Sequence, residues 1–500
     1  MTVPTTTAGT AFSGSSQTTQ ARRLFALPDF MPAITWQIAA LAGVAALAVY
    51  AIALYAPAIF NDGDTFWHIR AGQWMLAHRA LLDHDVFSRA FYGKPWITQE
   101  WLSEIVMAGS YQLAGWSGVA ILTGCAMAAT AMLLALYLGR KLDPLPCAIV
   151  LVLSIACLMP NYLARPHILA LPFLTAWMIG VADAAASRRR PSWFLLPIMT
   201  VWANLHGGFI FGLALLGPMA CEAIWQSESN RTRMALQWGL FSAAAVAAAL
   251  LNPHGVTGLL YPFELMRVQS LAAVGEWQPI DLHQFNTVEI SALAAAFFFI
   301  WRGIRVSPMR LLVLIALFHQ SLVHARYGLL LGIAAPVLLA DSLAAAMPRE
   351  GGATGPVKPQ GYVLAVFAAV VLVCTGLRVA YPLARNDSEV APTRAVASVP
   401  APLASKPVFN NYAFGGFLIF HGVRPLVDSR ADFYGDAWLS DYSRVVNGDP
   451  SAVDRMFRKY RVAWTLLHPG DRLVATLDHR PGWHRLFADR YAVIQAGPVY

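Results

Sequence analysis

Long apolar runs separated by short polar turns fill most of the sequence after residue 34. The first run covers 34–59, which exceeds the core of a signal peptide and predicts a retained transmembrane helix. Further apolar segments lie near 118–139, 146–160, 167–184, 192–205, 208–225, 236–252, 287–301, 310–323, 326–345 and 361–380. By the length rule this pattern predicts an α-helical polytopic membrane protein with about eleven transmembrane helices.

The polarity of the chain changes at both ends of this apolar region. Residues 1–32 are rich in Ser, Thr, Ala and Gly, which predicts a disordered cytoplasmic tail. The transmembrane domain is expected to cover 33–380, with a first outer loop at 60–117. Residues 381–407 contain a proline-rich linker to a polar region at 408–500, which is long enough to bury a core of its own.

The polar C-terminal region combines two kinds of pattern. Helical patterns occur at 436–446 and 451–460. Strand-like runs follow at 462–468, 483–487 and 491–495. The pattern therefore predicts a small α/β domain.

Basic residues fall in alternate turns and predict the topology. Arg22 and Arg23 before the first helix favour a cytoplasmic N-terminus, which places every basic cluster inside, as the positive-inside rule requires. The clusters are Arg140 and Lys141, Arg188 to Arg190, Arg231 and Arg233, Arg302, Arg305 and Arg310, and Arg349 with Lys358. This topology requires two segments within 192–225, broken at 204–208, and it puts the C-terminal domain outside. As a helix, 192–205 is about 20 Å long, so it is expected to end beside a protein-lined or wet cavity.

Composition narrows the possible partners. Charged residues make up 13% of the chain, against about 25% in soluble domains, so much of the surface is expected to meet membrane lipid. The net charge is +8, but basic residues sit in short clusters between apolar runs, as topology signals do, which argues against nucleic-acid binding. All five cysteines lie in apolar segments, so no disulfide framework is expected. The sequence has no Walker A motif and no Rossmann fingerprint, which argues against an ATP-driven transporter.

The predicted outward turns differ in composition from the inside turns. They carry His, Asn, Arg and acids next to Gly and Pro, whereas the inside turns are merely basic. The outward turns are 61–104, 160–167, 204–208, 252–255 with 276–279, and 324–327. Such residues can be polar caps of membrane helices, or they can converge on a site at the outer face. The agreement of several separate turns favours a site.

Acidic residues at the start of the first outer loop are the best candidates for chemistry. Asp64 and His68 stand four residues apart, on one face of a helix that begins near Asp64. Asp64 can take a proton from an acceptor hydroxyl or amine, or it can cap this helix. Asp62 is expected to be a turn residue. Trp67 and Trp74 share another face and are expected in the headgroup region.

Charged residues later in the same loop extend the candidate site. Lys94 can neutralise a lipid-linked phosphate, or it can make ordinary headgroup contacts. Glu100 and Glu104 again stand four residues apart, and Glu100 is a candidate for lining the site. Glu104 enters the apolar segment, where a carboxyl group needs a partner.

Cations and histidines in the other outward turns complete the set. Arg165 and Arg326 can stabilise a leaving phosphate, or they can extend towards headgroups. His324 stands beside Arg326 and favours the functional role. The histidines that together could hold a divalent metal are His68, His167, His206, His254 and His324. A single histidine of this kind is more often a hydrogen-bonded residue at a helix end.

The C-terminal domain contains one charged cluster, formed by Asp428, Arg430 and Asp432. These residues follow a short apolar run and are expected in a loop. They can contact a sugar or an acceptor. An internal Asp–Arg pair that stabilises the loop is the favoured interpretation.

Several stretches resemble the GT-C superfamily of membrane glycosyltransferases, which includes protein O-mannosyltransferases, oligosaccharyltransferases and the aminoarabinose transferases that modify lipid A. Asp64-Thr-Phe-Trp-His-Ile-Arg-Ala is similar to their Asp-Glu-x-x-Tyr-x-x-x-Ala stretch, and Tyr92-Gly-Lys-Pro-Trp resembles a Gly-Lys-Pro-Pro segment of the aminoarabinose group. Stretches similar to a bacterial GT-C-like family without an assigned activity are 67–68, 93–96, 100–104, 204–208, 252–255 and 427–432. Thr65 stands where the superfamily has the second acid of an Asp-Glu pair. Asp62 or Glu100 is a candidate to replace that acid.

The resemblance implies a reaction at the outer face of the cytoplasmic (inner) membrane. A sugar on a polyprenyl-phosphate donor would be transferred, with inversion, to a glycan, lipid or protein acceptor. It also implies Asp64 as the base. The candidate substrate-binding residues are Asp62, His68, Lys94, Glu100, Arg165, His167, Asn204, His206, His254, Glu276, His324 and Arg326. The alternatives are a non-catalytic membrane scaffold or polysaccharide-export partner, and a transporter, for which the sequence shows no convincing internal repeat.

Overall fold

The structure is a computed structural model that describes residues 35–228, 230–270, 275–347 and 361–498. The predicted cytoplasmic tail at 1–32 lies outside the described residues, as do Arg349 and Lys358.

The apolar region folds into helices joined by short turns. The helices are α1 (Trp36–Tyr55), α2 (Asp64–His78), α3 (Trp101–Gly139), α4 (Pro144–Leu158), α5 (Pro166–Ala186), α6 (Leu195–Leu205), α7 (Phe209–Gln226), α8 (Arg231–Ala249), α9 (Gly255–Leu265), α10 (Thr287–Arg302), α11 (Pro308–Val323), α12 (Gly328–Ala346) and α13 (Gly361–Ala380). Each apolar segment expected from the sequence coincides with one of these helices. Short 3-10 turns lie at Pro57–Phe60, Met159–Asn161, Gly275–Trp277 and Ala325–Tyr327.

Among the residues that the structure describes, six helical segments have the length and hydropathy needed to cross a membrane. They are Trp36–Tyr55, Trp101–Gly139, Pro144–Asn161, Pro166–Ala186, Phe209–Gln226 and Ala325–Ala346. Large apolar side chains also face outwards, including Leu372, Phe297 and Ile300, which are 71%, 69% and 82% exposed. Exposed apolar surface of this kind fits contact with lipid. These findings support a multi-pass membrane protein, and the count of eleven spans stays a prediction.

A break in α3 separates an outer arm from the membrane segment. Ala114 and Gly115 have non-helical backbone angles, and Gly115 has φ +58° and ψ −143°, a conformation that glycine adopts readily. The outer arm packs closely on α2 because Gly72 has no side chain. A Cβ atom at Gly72 would lie 1.9 Å from the carbonyl oxygen of Glu104. This close approach sets the spacing between the two helices that carry several candidate residues.

The expected break between α6 and α7 is present. Helix α6 ends at Leu205, and α7 begins at Phe209. Its 11 residues give α6 a length of about 16 Å, too short to cross the bilayer core. The residues between the two helices include His206, which contacts Glu100.

The C-terminal region forms the predicted α/β unit. Its elements are α14 (Thr393–Ala397), α15 (Ala401–Ala404), β1 (Val408–Asn410), a 3-10 turn (Tyr412–Phe414), α16 (Gly415–Phe420), α17 (Ala431–Tyr434), α18 (Asp436–Val446), α19 (Pro450–Tyr460), β2 (Trp464–Leu467), α20 (Arg472–Asp478), β3 (His484–Ala488) and β4 (Val493–Ala496). The four strands form one sheet in the order β1-β2-β4-β3. Strands β1 and β2 are parallel, whereas β4 is antiparallel to both of its neighbours.

The α/β unit shares a hydrophobic core with the first outer loop. Trp67, Met75 and Trp96 of the loop belong to the same buried cluster as Phe409 and Val427 of the C-terminal region. The expected linker also packs tightly, because Ala391 is fully buried against the cluster formed by Phe66 and Phe417. The C-terminal region therefore packs onto the loop as part of one body, and Trp67 lies buried rather than in the headgroup region.

Arg430 forms ion pairs that link the C-terminal region to the first outer loop. Its guanidinium donates to both carboxylate oxygens of Asp428, at 2.8 and 2.7 Å, and its Nη1 lies 2.9 Å from Asp85 of the first loop. Asp428 also accepts from Tyr434 at 2.7 Å. Arg430, Asp428 and Asp85 are all buried. The internal pair favoured from the sequence is present, and Asp85 extends it across the junction.

The opposite ends of the membrane helices carry a second ionic network. Arg310 donates to Glu222 at 2.9 Å and to Asp341 at 2.9 Å, and Lys141 pairs with Asp341 and with Asp183. The cations at this end of the bundle therefore pair with carboxylates that the adjoining helices supply.

Replacement of Arg430 by Ala leaves Asp428 and Asp85 buried without their cation. We expect this variant to lose about 3–5 kcal/mol of stability, the usual cost of removing one partner from a buried ion pair. The free energy of unfolding, measured in detergent micelles by denaturant titration, checks this value.

Arg455→Ala is the control for this experiment, since Arg455 is exposed on α19 and its ion pair with Asp441 is solvated. It should change the stability by less than about 1 kcal/mol. Equal losses in both variants would contradict the role assigned to Arg430.

Candidate functional site

The turn before α5 presents Arg165 to the first outer loop. Pro166 favours extended backbone at Arg165 and starts the helix, as proline does at a first helical position. The N–H of Ala164 donates to the carbonyl of Ile59 at 2.7 Å, and the Thr65 hydroxyl donates to the carbonyl of Ala164 at 3.0 Å. These bonds attach the turn to the start of α2.

Arg165 binds three carboxylates. Its Nη1 lies 3.1 Å from Asp62 and 2.9 Å from Glu276, and its Nη2 lies 2.8 Å from Asp64. Burial opposes the charge, but Asp64, Glu276 and Asp62 raise the pKa of Arg165 well above its usual value. The side chain is 17% exposed, so the cluster is shielded from most water and still accessible.

Asp64 is held on both of its carboxylate oxygens. Its Oδ1 accepts from the indole of Trp67 at 3.2 Å and from the hydroxyl of Ser429, and its Oδ2 faces Arg165. Gly63, rather than Asp64, is the N-cap of α2, and Asp62 forms the preceding turn by accepting from the N–H of Asp64 at 2.6 Å. Asp64 is therefore not used as a helix cap. Burial raises the pKa of Asp64 to about 7, against the opposing effect of Arg165.

Glu276 links Arg165 to the second predicted cation. One carboxylate oxygen contacts Arg165, and the other lies 3.2 Å from Nη1 of Arg326. Burial works to raise the pKa of Glu276, but Arg165 and Arg326 lower it to about 2. The guanidinium of Arg326 also packs over the ring of Trp277, 4.3 Å from its centroid. Three carboxylates and two guanidinium groups thus form one connected cluster.

A second chain of polar groups lies beside this cluster. His68 contacts Glu104 through Nδ1 at 3.2 Å and Glu100 through Nε2 at 3.7 Å. Glu100 in turn lies 3.3 Å from Nε2 of His206. The N–H of Gly208 donates to Nδ1 of His206, which puts the proton of the neutral ring on Nε2, facing Glu100. Spacing alone suggested a pair between Asp64 and His68, but His68 is paired with the two glutamates.

Burial determines the protonation of this chain. It raises the pKa of Glu100 to about 8, although Arg165 and Arg326 oppose the shift. Burial likewise lowers the pKa of His68 and of His206 well below their usual values. At neutral pH, Glu100 therefore carries a proton more often than not, and both imidazoles are neutral. Glu100 and the two histidines can therefore hold or transfer a proton next to the acid cluster.

Other predicted residues have partners that explain their positions. Asn204 accepts from Trp101 at 2.9 Å and donates to the carbonyls of Thr200 and Leu251, so it links α6 to the start of α3 and to the turn after α8. Lys94 is exposed and donates to the carbonyl of Phe433 at 2.9 Å, and its role at a lipid-linked phosphate stays a prediction.

The remaining histidines mostly contact backbone carbonyls. His167 contacts Asn161 at 3.0 Å, His254 contacts Thr98 at 3.3 Å and His324 contacts Trp277 at 2.7 Å. Within 35–498, apart from the gaps given above, no three His, Cys, Asp or Glu side chains form a group that fits a metal ion. The five histidines therefore do not form such a group in the described part of the chain.

Two features of the site were not expected from the sequence. Ser429, in the stretch 427–432, donates to Asp64 and accepts from Trp67 at 3.1 Å. Tyr261 of α9 donates to Asp432, whose pKa is raised by burial despite this hydrogen bond. The composition of 427–432 could have indicated the Ser429 contact, because four of its six side chains are charged or carry a hydroxyl group and can bind other polar residues.

Comparison with solved structures finds similar chains, and one of them is a crystal structure of ArnT. No family model matches the sequence, and no curated protein matches it. The chain is similar to the crystal structure of ArnT from Cupriavidus metallidurans bound to undecaprenyl phosphate, with a TM-score of 0.49 and 13% identity. The match covers 92% of this chain and 98% of that chain. A similarity at this level does not assign the chain to a family, so the GT-C-like fold stays a prediction.

The raised pKa of Glu100 makes the stability depend on pH. The folded protein keeps a proton on Glu100 up to about pH 8, whereas the unfolded chain releases it near the ordinary value of 4.5. The folded state thus binds more protons between these values, and stability falls as the pH rises through this window. We expect Glu100→Gln to lose less thermal stability than the parent between about pH 5 and about pH 8.5.

The melting temperature in one detergent at both pH values measures this difference. Glu264→Gln is the control, because Glu264 is an exposed glutamate on α9, and its pH dependence should match that of the parent. If Glu100→Gln also matches the parent, Glu100 does not titrate in this window.

Proposed function

We propose that the protein is a membrane glycosyltransferase that moves a sugar from a polyprenyl-phosphate donor to an acceptor at the outer face of the cytoplasmic membrane. The observation that carries this proposal is the connection between Asp64 and Arg326 through Arg165 and Glu276. It combines a partly accessible acid, whose pKa is near neutrality, with two cations at one end of an apolar helix bundle. An N-terminus inside and a C-terminal domain outside belong to the same proposal.

Arg326 is the proposed site for the donor phosphate. Its guanidinium has five N–H donors, and its one carboxylate partner among the described residues is Glu276. Donors therefore remain for a phosphate oxygen, and the stacking on Trp277 holds the plane of the group. A guanidinium at this place stabilises the charge that develops on the phosphate as the bond to the sugar breaks.

An apolar cavity supports a lipid-linked donor. It has a volume of about 200 Å³ and lies between α5, α7, α11 and α12, with Met178, Phe211 and Leu330 among its lining residues. The ring of Phe211 contacts Tyr327, whose ring contacts Trp277 beneath Arg326. Aromatic contacts thus join the phosphate position to apolar space among the membrane helices, which can take part of a polyprenyl chain.

Asp64 is the proposed base. It takes the proton from the acceptor hydroxyl or amine while the acceptor atom attacks the anomeric carbon. The bond between that carbon and the phosphate oxygen breaks, and the electron pair leaves with the phosphate, which gives inversion. A pKa of about 7 suits a base that must be free at neutral pH and still attract a proton. Asp62 supplies the second acid, because it shares Arg165 with Asp64.

The competing function is a non-catalytic membrane scaffold. The contacts of Asp64 favour it, because Trp67, Ser429 and Arg165 already occupy both oxygens. In a scaffold, these contacts of Asp64 would serve only to hold the C-terminal domain on the first loop. The two functions differ in whether the carboxylate is needed as a proton acceptor, which an isosteric amide tests.

Asp64→Asn keeps the shape of the side chain and removes its basicity. If Asp64 is the base, we expect transfer to fall by about a hundredfold or more, with the melting temperature nearly unchanged. The assay follows label from polyprenyl-phosphate sugars into membrane glycans in reconstituted vesicles. Asp62→Asn is the matched control and should cost less, because Asp64 remains. Full transfer by the Asp64→Asn protein would favour the scaffold.

Arg326→Gln removes the proposed phosphate contact. We expect polyprenyl phosphate to bind about ten- to a hundredfold more weakly, the range for one charge-assisted hydrogen-bonded contact. Arg326→Lys should restore part of the affinity, since it keeps the charge without the planar fork. Native mass spectrometry of the purified protein measures the binding, with exposed Arg305→Gln as the control. Unchanged affinity in the Arg326→Gln protein would place the phosphate elsewhere.

A further inference from the structure

A second cavity lies on the outer side of the junction between the first loop and the C-terminal domain. Its volume is about 390 Å³, within the range of small-ligand pockets. The side chains that characterise it are Arg89, Tyr92, Arg424, Lys459, Tyr460 and Arg461. None of these residues belongs to the acid cluster around Arg165, so the cavity is a separate place on the molecule.

Four cations line this cavity, and its lining includes no acid. Among the described residues, Arg89, Arg424, Lys459 and Arg461 have no carboxylate within ion-pair distance. Several other arginines of the C-terminal region do have one; Arg430, Arg444, Arg480 and Arg485 are examples. Four uncompensated cations repel one another, and an anion in the cavity would relieve that repulsion.

Backbone contacts bring these cations together from three segments. The N–H of Arg89 donates to the carbonyl of Pro425 at 2.9 Å, which places it beside Arg424. Lys459 and Arg461 lie at the C-terminal end of α19, where Arg461 adopts a left-handed conformation with φ +53°. Cations at a helix C-terminus are favourable for the helix itself. That effect accounts for the positions of Lys459 and Arg461, but it does not account for those of Arg89 and Arg424.

The aromatic residues give the cavity a second chemical character. Tyr92 is 57% exposed, and the guanidinium of Arg424 lies over its ring at 4.3 Å from the centroid. Tyr460 is held by a hydrogen bond from Trp438 at 3.2 Å. Exposed ring faces pack against the C–H faces of sugars, and the guanidinium forks bind phosphate oxygens. The lining includes no aliphatic side chain, unlike a surface that inserts into lipid.

We infer that this cavity binds a phosphorylated saccharide. The phosphate contacts Arg424, Arg89 and Arg461, and a sugar ring packs on Tyr92. The assignment of this saccharide as the acceptor rests on the proposed function, whereas the binding itself does not. A soluble glycan and a glycolipid can both present a phosphorylated saccharide of this kind.

Binding of maltose 1-phosphate to the purified full chain in detergent tests this inference, with maltose and inorganic phosphate as companion probes. Isothermal titration should give maltose 1-phosphate the highest affinity of the three. Arg424→Gln should weaken it by about tenfold or more, and Tyr92→Ala should weaken it without changing the affinity for inorganic phosphate. Arg458→Gln is the matched control, because Arg458 is an exposed cation of α19 outside this lining.

Several outcomes would overturn the inference. The first is equal affinity of the parent and Arg424→Gln proteins, with melting temperatures that show both to be folded. The second is equal affinity for inorganic phosphate and maltose 1-phosphate, which would indicate a simple anion site. The third is binding of phosphatidylglycerol vesicles, but not of maltose 1-phosphate, through Arg424. The Asp64→Asn protein should bind the probe like the parent, so a failure of catalysis and a failure of this site are distinguishable.

Discussion

The ion cluster around Arg165 is the constraint on which the arrangement of the outer side depends. One mostly buried guanidinium holds carboxylates from the start of α2 and from the turn before α10. A charge in such a place is costly unless it is paired, so the segments that carry Asp62, Asp64 and Glu276 must stay together. Ion pairs between Arg165 and these carboxylates therefore hold the polar turns together, in place of regular secondary structure.

The C-terminal domain completes this arrangement by covering it. Apolar residues of the domain and of the first loop form one buried cluster, and Arg430 joins the two by its contacts with Asp428 and Asp85. The domain also supplies Ser429, which donates to Asp64. It thus contributes to the structure of the acid cluster and to the wall of the basic cavity. Both places depend on the same docked position.

The sequence allowed a good prediction of the helices and of part of the site. Apolar runs reveal helices directly, and the spacing of Glu100 and Glu104 correctly put them on one face, where both meet His68. The convergence of Arg165 with Asp62 and Asp64 also followed from the expectation that the outward turns meet.

Contacts between distant segments could not be predicted in the same way. Ser429 lies 365 positions from Asp64 and 362 positions from Trp67, and no local pattern encodes that approach. Trp67 shows the consequence. Its place on an amphipathic helix favours a membrane interface, but the docked domain covers it. The hydrogen bond from Lys94 to the carbonyl of Phe433 is another contact of this kind, since it also joins the first loop to the docked domain.

The contacts of Asp64 connect the two functions that the site supports. Trp67, Ser429 and Arg165 orient the carboxylate, and the same contacts must loosen before it can accept a proton. Arg165 has two other carboxylates, Asp62 and Glu276, so Asp64 can release it without leaving the guanidinium unpaired. The Ser429 hydroxyl can rotate towards another acceptor at little cost. The proposed role of Asp64 as a base is therefore compatible with these contacts, because they can loosen without leaving Arg165 unpaired.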